Sequence, residues 1–272
     1  MTYCKSLCLS LAVASASLMA LPAHALTITY GGQAATDGSG LTSNFVPASN
    51  TGLGAGYFIE TFDFATKDVG DTPLLDPGNG TDISVAGAGC SVNFYGQLTT
   101  TITGGGFGVQ QGSTPGVAAA PAGDNTCFGF GPRPGGTLPA TVKVDYSNLL
   151  TGGDKISYLG LYYGSIDTYN DINIYDGNIL LQTITGASVL AAGGGLSGNQ
   201  TLPGSNVYVN FAFAPGETFT AFEFVTTAVA FEVDNIVVGL TSRPNQVPEP
   251  GSLALFAAGL LGFVAARRLR KG

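Results

Sequence analysis

Apolar and polar positions alternate with a period of two through the middle of the chain. Residues 26–30 show it first, and residues 57–64 and 141–146 repeat it. This period puts one set of side chains on a buried face and the other toward solvent, as in a half-buried strand. Residues 91–95 and 98–103 read as two more short strands after a turn at 76–80, where Asp76, Pro77, Gly78, Asn79 and Gly80 cluster. The best-defined stretch is 155–184. Residues 156–163 read as one strand, and 171–175 as the next, with Ile172 and Ile174 on one face. Asp176 and Gly177 supply the tight turn, because both tolerate positive φ, and 179–184 return as the partner strand. Val207, Val209, Phe211 and Phe213 then share a face, and 219–225 and 229–238 complete the series. The Gly-, Pro- and Ala-rich stretches 104–125, 132–139 and 193–198 read as loops. No internal stretch carries a convincing helical period. The pattern predicts an all-β, antiparallel β-sandwich, with a jelly roll as the preferred version. No repeat of fixed length points to a propeller or solenoid.

The two ends depart from this pattern. Residues 1–25 have Lys5, an apolar run from 7 to 21, and a small-x-small ending at Ala23 and Ala25. They read as a helical secretory signal, with the mature chain starting near Leu26. Cys4 and Cys8 lie too early for a lipoprotein site. At the other end, residues 251–266 carry no charge, and Arg267, Arg268, Arg270 and Lys271 follow. Sixteen helical residues span roughly 24 Å, against about 30 Å of hydrocarbon. Snorkelling of the arginines and local thinning close that gap. A single transmembrane helix with a cytoplasmic basic cluster places the preceding chain outside. Pro248 and Pro250 keep Glu249 on extended, accessible backbone ahead of it. The expected organisation is a signal at 1–25, an ectodomain at 26–242, a linker at 243–250, and the membrane helix with its tail at 251–272.

Val247, Pro248, Glu249 and Pro250, the short apolar helix and the terminal basic cluster together resemble the PEP-CTERM sorting signal of exosortase substrates. The resemblance covers about a tenth of the chain. It implies a bacterial envelope protein of Gram-negative type, held in the inner membrane, cut near Pro-Glu-Pro by an exosortase, and released to the surface or matrix. It also implies an association with exopolysaccharide and biofilm. Residues 158–175 and 230–236 resemble segments of one group of exosortase-dependent surface proteins. In that group the position of Tyr163 is commonly Trp, so this chain keeps the ring and loses the indole donor. That resemblance supplies no biochemical activity.

Charge and composition narrow the chemistry. From 26 to 246 there are five basic and seventeen acidic residues, a net charge of −12. Nucleic acid is therefore not an expected partner. Glycine is 41 of 272 residues, about double the usual share, yet the period-2 aromatics argue for a packed fold rather than disorder. The one histidine, His24, leaves with the expected signal, so no Ser-His-Asp or Cys-His centre and no His-ligated zinc are expected. Cys90 and Cys127 remain. In an oxidising compartment they read most simply as a disulfide; two free thiols are the competing reading.

Asp167, Tyr169, Asn170 and Asp171 crowd one loop. Such groups bind sugar hydroxyls and stack on sugar faces, and their oxygens suit calcium. Turn construction is the plainer role for them. Asp234 and Asn235 interrupt an apolar strand, as a bulge, a buried network or a structural cation site would. The G-x-G-x-x-G string at 193–198 has no helix after it, and the 76–82 stretch lacks the ligand pattern of a calcium loop. No cofactor is expected, with calcium as the exception to test. Three function classes remain: a non-enzymatic surface or matrix protein, a carbohydrate-binding module of that matrix, and a glycan hydrolase using paired carboxylates.

Overall fold

The computed structural model describes residues 26–54, 56–63, 83–86, 90, 99–150, 154–214, 217 and 219–241. The expected signal, the linker, the apolar tail, the 76–80 turn and the 91–95 strand lie outside the described residues.

Fifteen strands are described: β1 (Thr27–Tyr30), β2 (Gln33–Ala34), β3 (Leu41–Thr42), β4 (Tyr57–Glu60), β5 (Ile83–Ala86), β6 (Thr99–Thr103), β7 (Phe107–Gln111), β8 (Cys127–Gly131), β9 (Ala140–Asp145), β10 (Lys155–Gly164), β11 (Asn170–Asp176), β12 (Ile179–Thr185), β13 (Val207–Ala212), β14 (Ala221–Thr226) and β15 (Phe231–Thr241). Eight form one sheet in the order β1-β13-β10-β15-β8-β7-β5, with β4 also paired to β15; five form a second, β12-β11-β14-β9-β6. Strand pairs are antiparallel except β5 with β7, which are parallel. The sheets face each other across one core. Leu159, Leu161 and Phe231 of the larger sheet and Val142, Ile172 and Phe224 of the smaller belong to it. The Phe224 and Phe231 rings stack across the layers at 5.0 Å.

The outer face of the larger sheet is covered as well. Val46 packs with Tyr158 and Val237 there, and Ala118 with Phe128 and Phe130. Tyr162 donates its hydroxyl hydrogen to the Ala122 carbonyl. The central strands are therefore buried on both faces.

Three expectations are corrected. A helix, α1 (Gly186–Gly193), follows β12. The Thr185 side chain caps it by accepting from the Ser188 N–H, Val189 and Leu190 bury its single apolar patch, and Gly194 ends it at φ +68°. Eight residues with two core contacts leave no readable period. The β11–β12 turn uses Gly177 and Asn178, since Asp176 already pairs with Ile179, and positive φ falls on Gly177 alone. Finally, β7 lies inside the stretch expected to be a loop, and β8 follows it. Their glycines mark ring contacts: a Cβ at Gly108 would collide with the Phe130 ring, and one at Gly129 with Phe107 and Phe62. Cys90 and Cys127 form a disulfide, Cα to Cα 5.5 Å, that ties β8 to the segment before β6.

Candidate functional site

The loop between β10 and β11 borders a cavity of about 440 Å³. Ile166, fully buried, roots this loop in the core. Its N–H donates to the Ser205 carbonyl at 2.9 Å, and its carbonyl accepts from Gly198 at 3.0 Å. Asp167 and Tyr169, on either side of an exposed Thr168, line the cavity. Ser165, Gln200 and Glu232 complete the polar side of the wall.

Glu232 is 3% exposed. Its carboxylate accepts from the Ala119 N–H at 3.1 Å and from the Ser165 hydroxyl at 2.8 Å. Burial pushes its pKa up to about 8, against the pull of those two hydrogen bonds, and the charge of Asp167 pushes the same way. Asp167 accepts from the Ser197 hydroxyl at 2.8 Å. The Tyr169 hydroxyl donates to the Val229 carbonyl at 2.8 Å, and burial raises its pKa. One wall thus holds a buried carboxyl whose pKa burial raises, a second carboxyl, an amide and an aromatic ring. That set can hydrogen-bond and cover a sugar. A pair of carboxyls is also the minimum a glycoside hydrolase needs.

The four loop residues singled out in the sequence divide. Asp167 and Tyr169 face the cavity. Asn170 is buried, donating to the Ala230 carbonyl at 2.8 Å and accepting from Thr226 at 2.7 Å. Asp171 accepts from the Gly186 N–H at 3.2 Å, at the start of α1. These two build the frame. Sequence reasoning missed Glu232. The available signal was an acid two positions before Asp234 in an otherwise apolar strand.

Asp234 and Asn235 do form a bulge. Between β10 and β15 the register slips from Gly160 opposite Val237 to Tyr162 opposite Asp234. Asn235 takes φ +47°. Its amide donates to Ser39 Oγ at 2.7 Å and to the Leu41 carbonyl at 2.9 Å, and its side-chain oxygen accepts from Asn50 at 3.0 Å. Asn235 is thus a satisfied knot between β15 and the N-terminal segment. Asp234 is not: it is fully buried, and neither carboxylate oxygen accepts a hydrogen bond. Among the described residues no three His, Cys, Asp or Glu side chains converge as a ready-made metal group.

Among the described residues no helix is long and apolar enough to cross a membrane. Val247, Pro248, Glu249, Pro250 and the basic cluster lie outside them. No curated protein and no solved structure matches the chain. Residues 246–271, however, match the family model of the PEP-CTERM protein-sorting motif. That match is the motif the Pro-Glu-Pro, apolar and basic sequence pattern resembled, and it implies a transient membrane anchor removed by an exosortase. The chain carries a PEP-CTERM protein-sorting motif at 246–271, and that motif implies an exosortase-dependent exported protein.

Proposed function

We propose that the exported domain is a non-enzymatic component of the cell surface or extracellular matrix, and that it binds exopolysaccharide in the cavity bordered by Asp167, Tyr169 and Glu232. The domain is a β-sandwich whose winding we read as jelly-roll-like, because the chain changes sheet from β8 to β9, β9 to β10 and β10 to β11. One observation carries the binding reading. A rooted loop, the β15 strand and the segment carrying Gln200 bring a ring, an amide and two carboxyls to one cavity of sugar size. The hydrolase reading has a specific observation too, the Asp167 and Glu232 pair. We favour binding because both Glu232 oxygens already serve the fold and the side chain is almost wholly covered.

Protein recovered from its native cells tests delivery and binding together. Mass spectrometry is expected to find a mature form that starts near Leu26 and ends before residue 251. A surface form still ending at Lys271 and Gly272 would overturn processing. The same material is expected to be pulled down by the cells' own polysaccharide. Asp167→Ala combined with Tyr169→Ala should weaken that at least ~10-fold, about 1.4 kcal/mol, without loss of fold. Polysaccharide that leaves the wild type in solution would rule out the binding reading. Release of new reducing ends that disappears in Glu232→Gln would establish the hydrolase instead.

A further inference from the structure

Beneath the N-terminal segment lies a second acidic group, on the outer face of β15 and apart from the cavity above. The 37–40 loop and the 124–126 loop are pinned to each other there. Ser39 and Asp124 form a β-bridge, and Asn125 donates to the Gly38 carbonyl at 2.9 Å. Asp37 is spent on its own loop. Its Oδ1 accepts from Ser39 Oγ at 2.6 Å and its Oδ2 from Asn50 at 2.8 Å. Asp63 Oδ1 accepts from the Cys127 N–H at 3.1 Å. Asp124 uses Oδ1 for the Thr126 N–H and hydroxyl, both at 2.8 Å, and its buried Oδ2 has no partner. Asp234 uses neither oxygen. The Asn235 N–H and the Asp124 carboxyl lie near it without ordinary hydrogen-bond geometry.

Three carboxylate oxygens thus stand buried and unpartnered on two neighbouring aspartates. The charges that act on Asp234 are those of Asp124, Asp63 and Asp37, all of one sign. A folded chain does not retain such a group uncompensated. A hard dication is the compensation that matches an all-oxygen donor set. We propose that Asp234 and Asp124 together bind one calcium ion, which ties the N-terminal segment and the 124–126 loop to β15.

Calcium fits better than magnesium. It accepts irregular shells of carboxylate, carbonyl and water oxygens, whereas magnesium demands near-octahedral order. With two carboxylates and, among the described residues, no third converging, the affinity belongs to the weak extracellular class, Kd on the order of 10⁻⁴ to 10⁻³ M. That range suits a protein exported to a calcium-bearing exterior.

The test uses the exported full chain purified in detergent and stripped with chelator. Calorimetric titration with calcium chloride near neutral pH is expected to give one ion per chain, with a rise in Tm that magnesium reproduces only weakly. Terbium should luminesce on tyrosine excitation, because Tyr162 stands close enough to Asp124 and Asp234 to feel both charges. Asp234→Asn and Asp124→Asn should each lower calcium affinity more than ~10-fold while keeping the fold, since an amide relieves the repulsion. Asp167→Ala should leave calcium binding unchanged, which separates this site from the glycan cavity. A stripped wild type with neither binding heat nor Tm shift up to ~10 mM calcium would overturn the proposal and leave a proton shared by the two acids. Calcium binding that survives both asparagine variants would overturn it as well.

Discussion

Tyr163 shows how far a single side chain can be read. Its strand follows from the apolar and aromatic run at 156–163, its burial from a strand covered on both faces, and its ring faces Phe224 at 6.5 Å. Its hydroxyl is buried in the core with no hydrogen-bond partner. An orphaned buried hydroxyl costs about 1–3 kcal/mol. Tyr163→Phe is therefore expected to raise stability by about 1 kcal/mol, a Tm gain of about 2–4 °C for a domain of this size. Thermal denaturation of the two proteins would check it, and a lower Tm in the variant would show an unseen partner. Asn170 carries the opposite lesson. In sequence it was a ligand candidate beside the plainer role of turn construction, and both ends of its amide are consumed by Ala230 and Thr226. Sequence shows the donor and acceptor count of a side chain, whereas only packing shows which of those atoms remain free.

Among the elements, β7 and β8 matter most, because the first reads as loop and the second carries no strand signal between two loops. Glycine alternates with Phe107, Val109, Phe128 and Phe130, and each glycine position gives room to a ring from the facing strand. Composition cannot separate a glycine needed for a turn from one needed beneath a ring. The disulfide fastens this region, joining Cys127 at the start of β8 to Cys90, 37 residues earlier. Closing a loop of that length contributes about 4 kcal/mol in the chain-entropy model. Reduction, or Cys90→Ser with Cys127→Ser, should lower unfolding free energy by about that amount in denaturant titration. A loss below about 1 kcal/mol would mean that the segment before β6 stays closed without the bond.

At the scale of the whole molecule, buried acids set the pH response. Glu232 has its folded pKa at about 8, against 4.5 for the free side chain. The folded state therefore binds this proton more tightly than the unfolded state. The stability it contributes is complete below about 4.5 and is lost as pH rises through about 8. Asp63 and Asp124, each raised to about 6 mainly by burial, act in the same sense at lower pH. With calcium chelated, Tm is expected to fall from pH 5 to pH 8, and Glu232→Gln should flatten the upper half of that slope. A Tm that climbs with pH across this window would show that Glu232 is charged in the folded protein.

The C-terminal destination signal was determined by the sequence alone, because it is a linear order of proline, apolar run and cations that needs no partner from elsewhere in the chain. The strands between 155 and 184 and between 207 and 238 were equally plain, since apolar and aromatic runs bounded by Gly, Asp and Pro turns mark them locally. Tertiary structure decided the rest. The N-terminal segment and the chain around Ala118 and Ala119 cover the outer face of the larger sheet, so Glu232 and Asp234 on β15 become buried acids, and Asp124, over a hundred residues earlier, becomes a neighbour of Asp234. A carboxylate's state depends on what surrounds it in space, and those surroundings come from parts of the chain that local pattern cannot bring together.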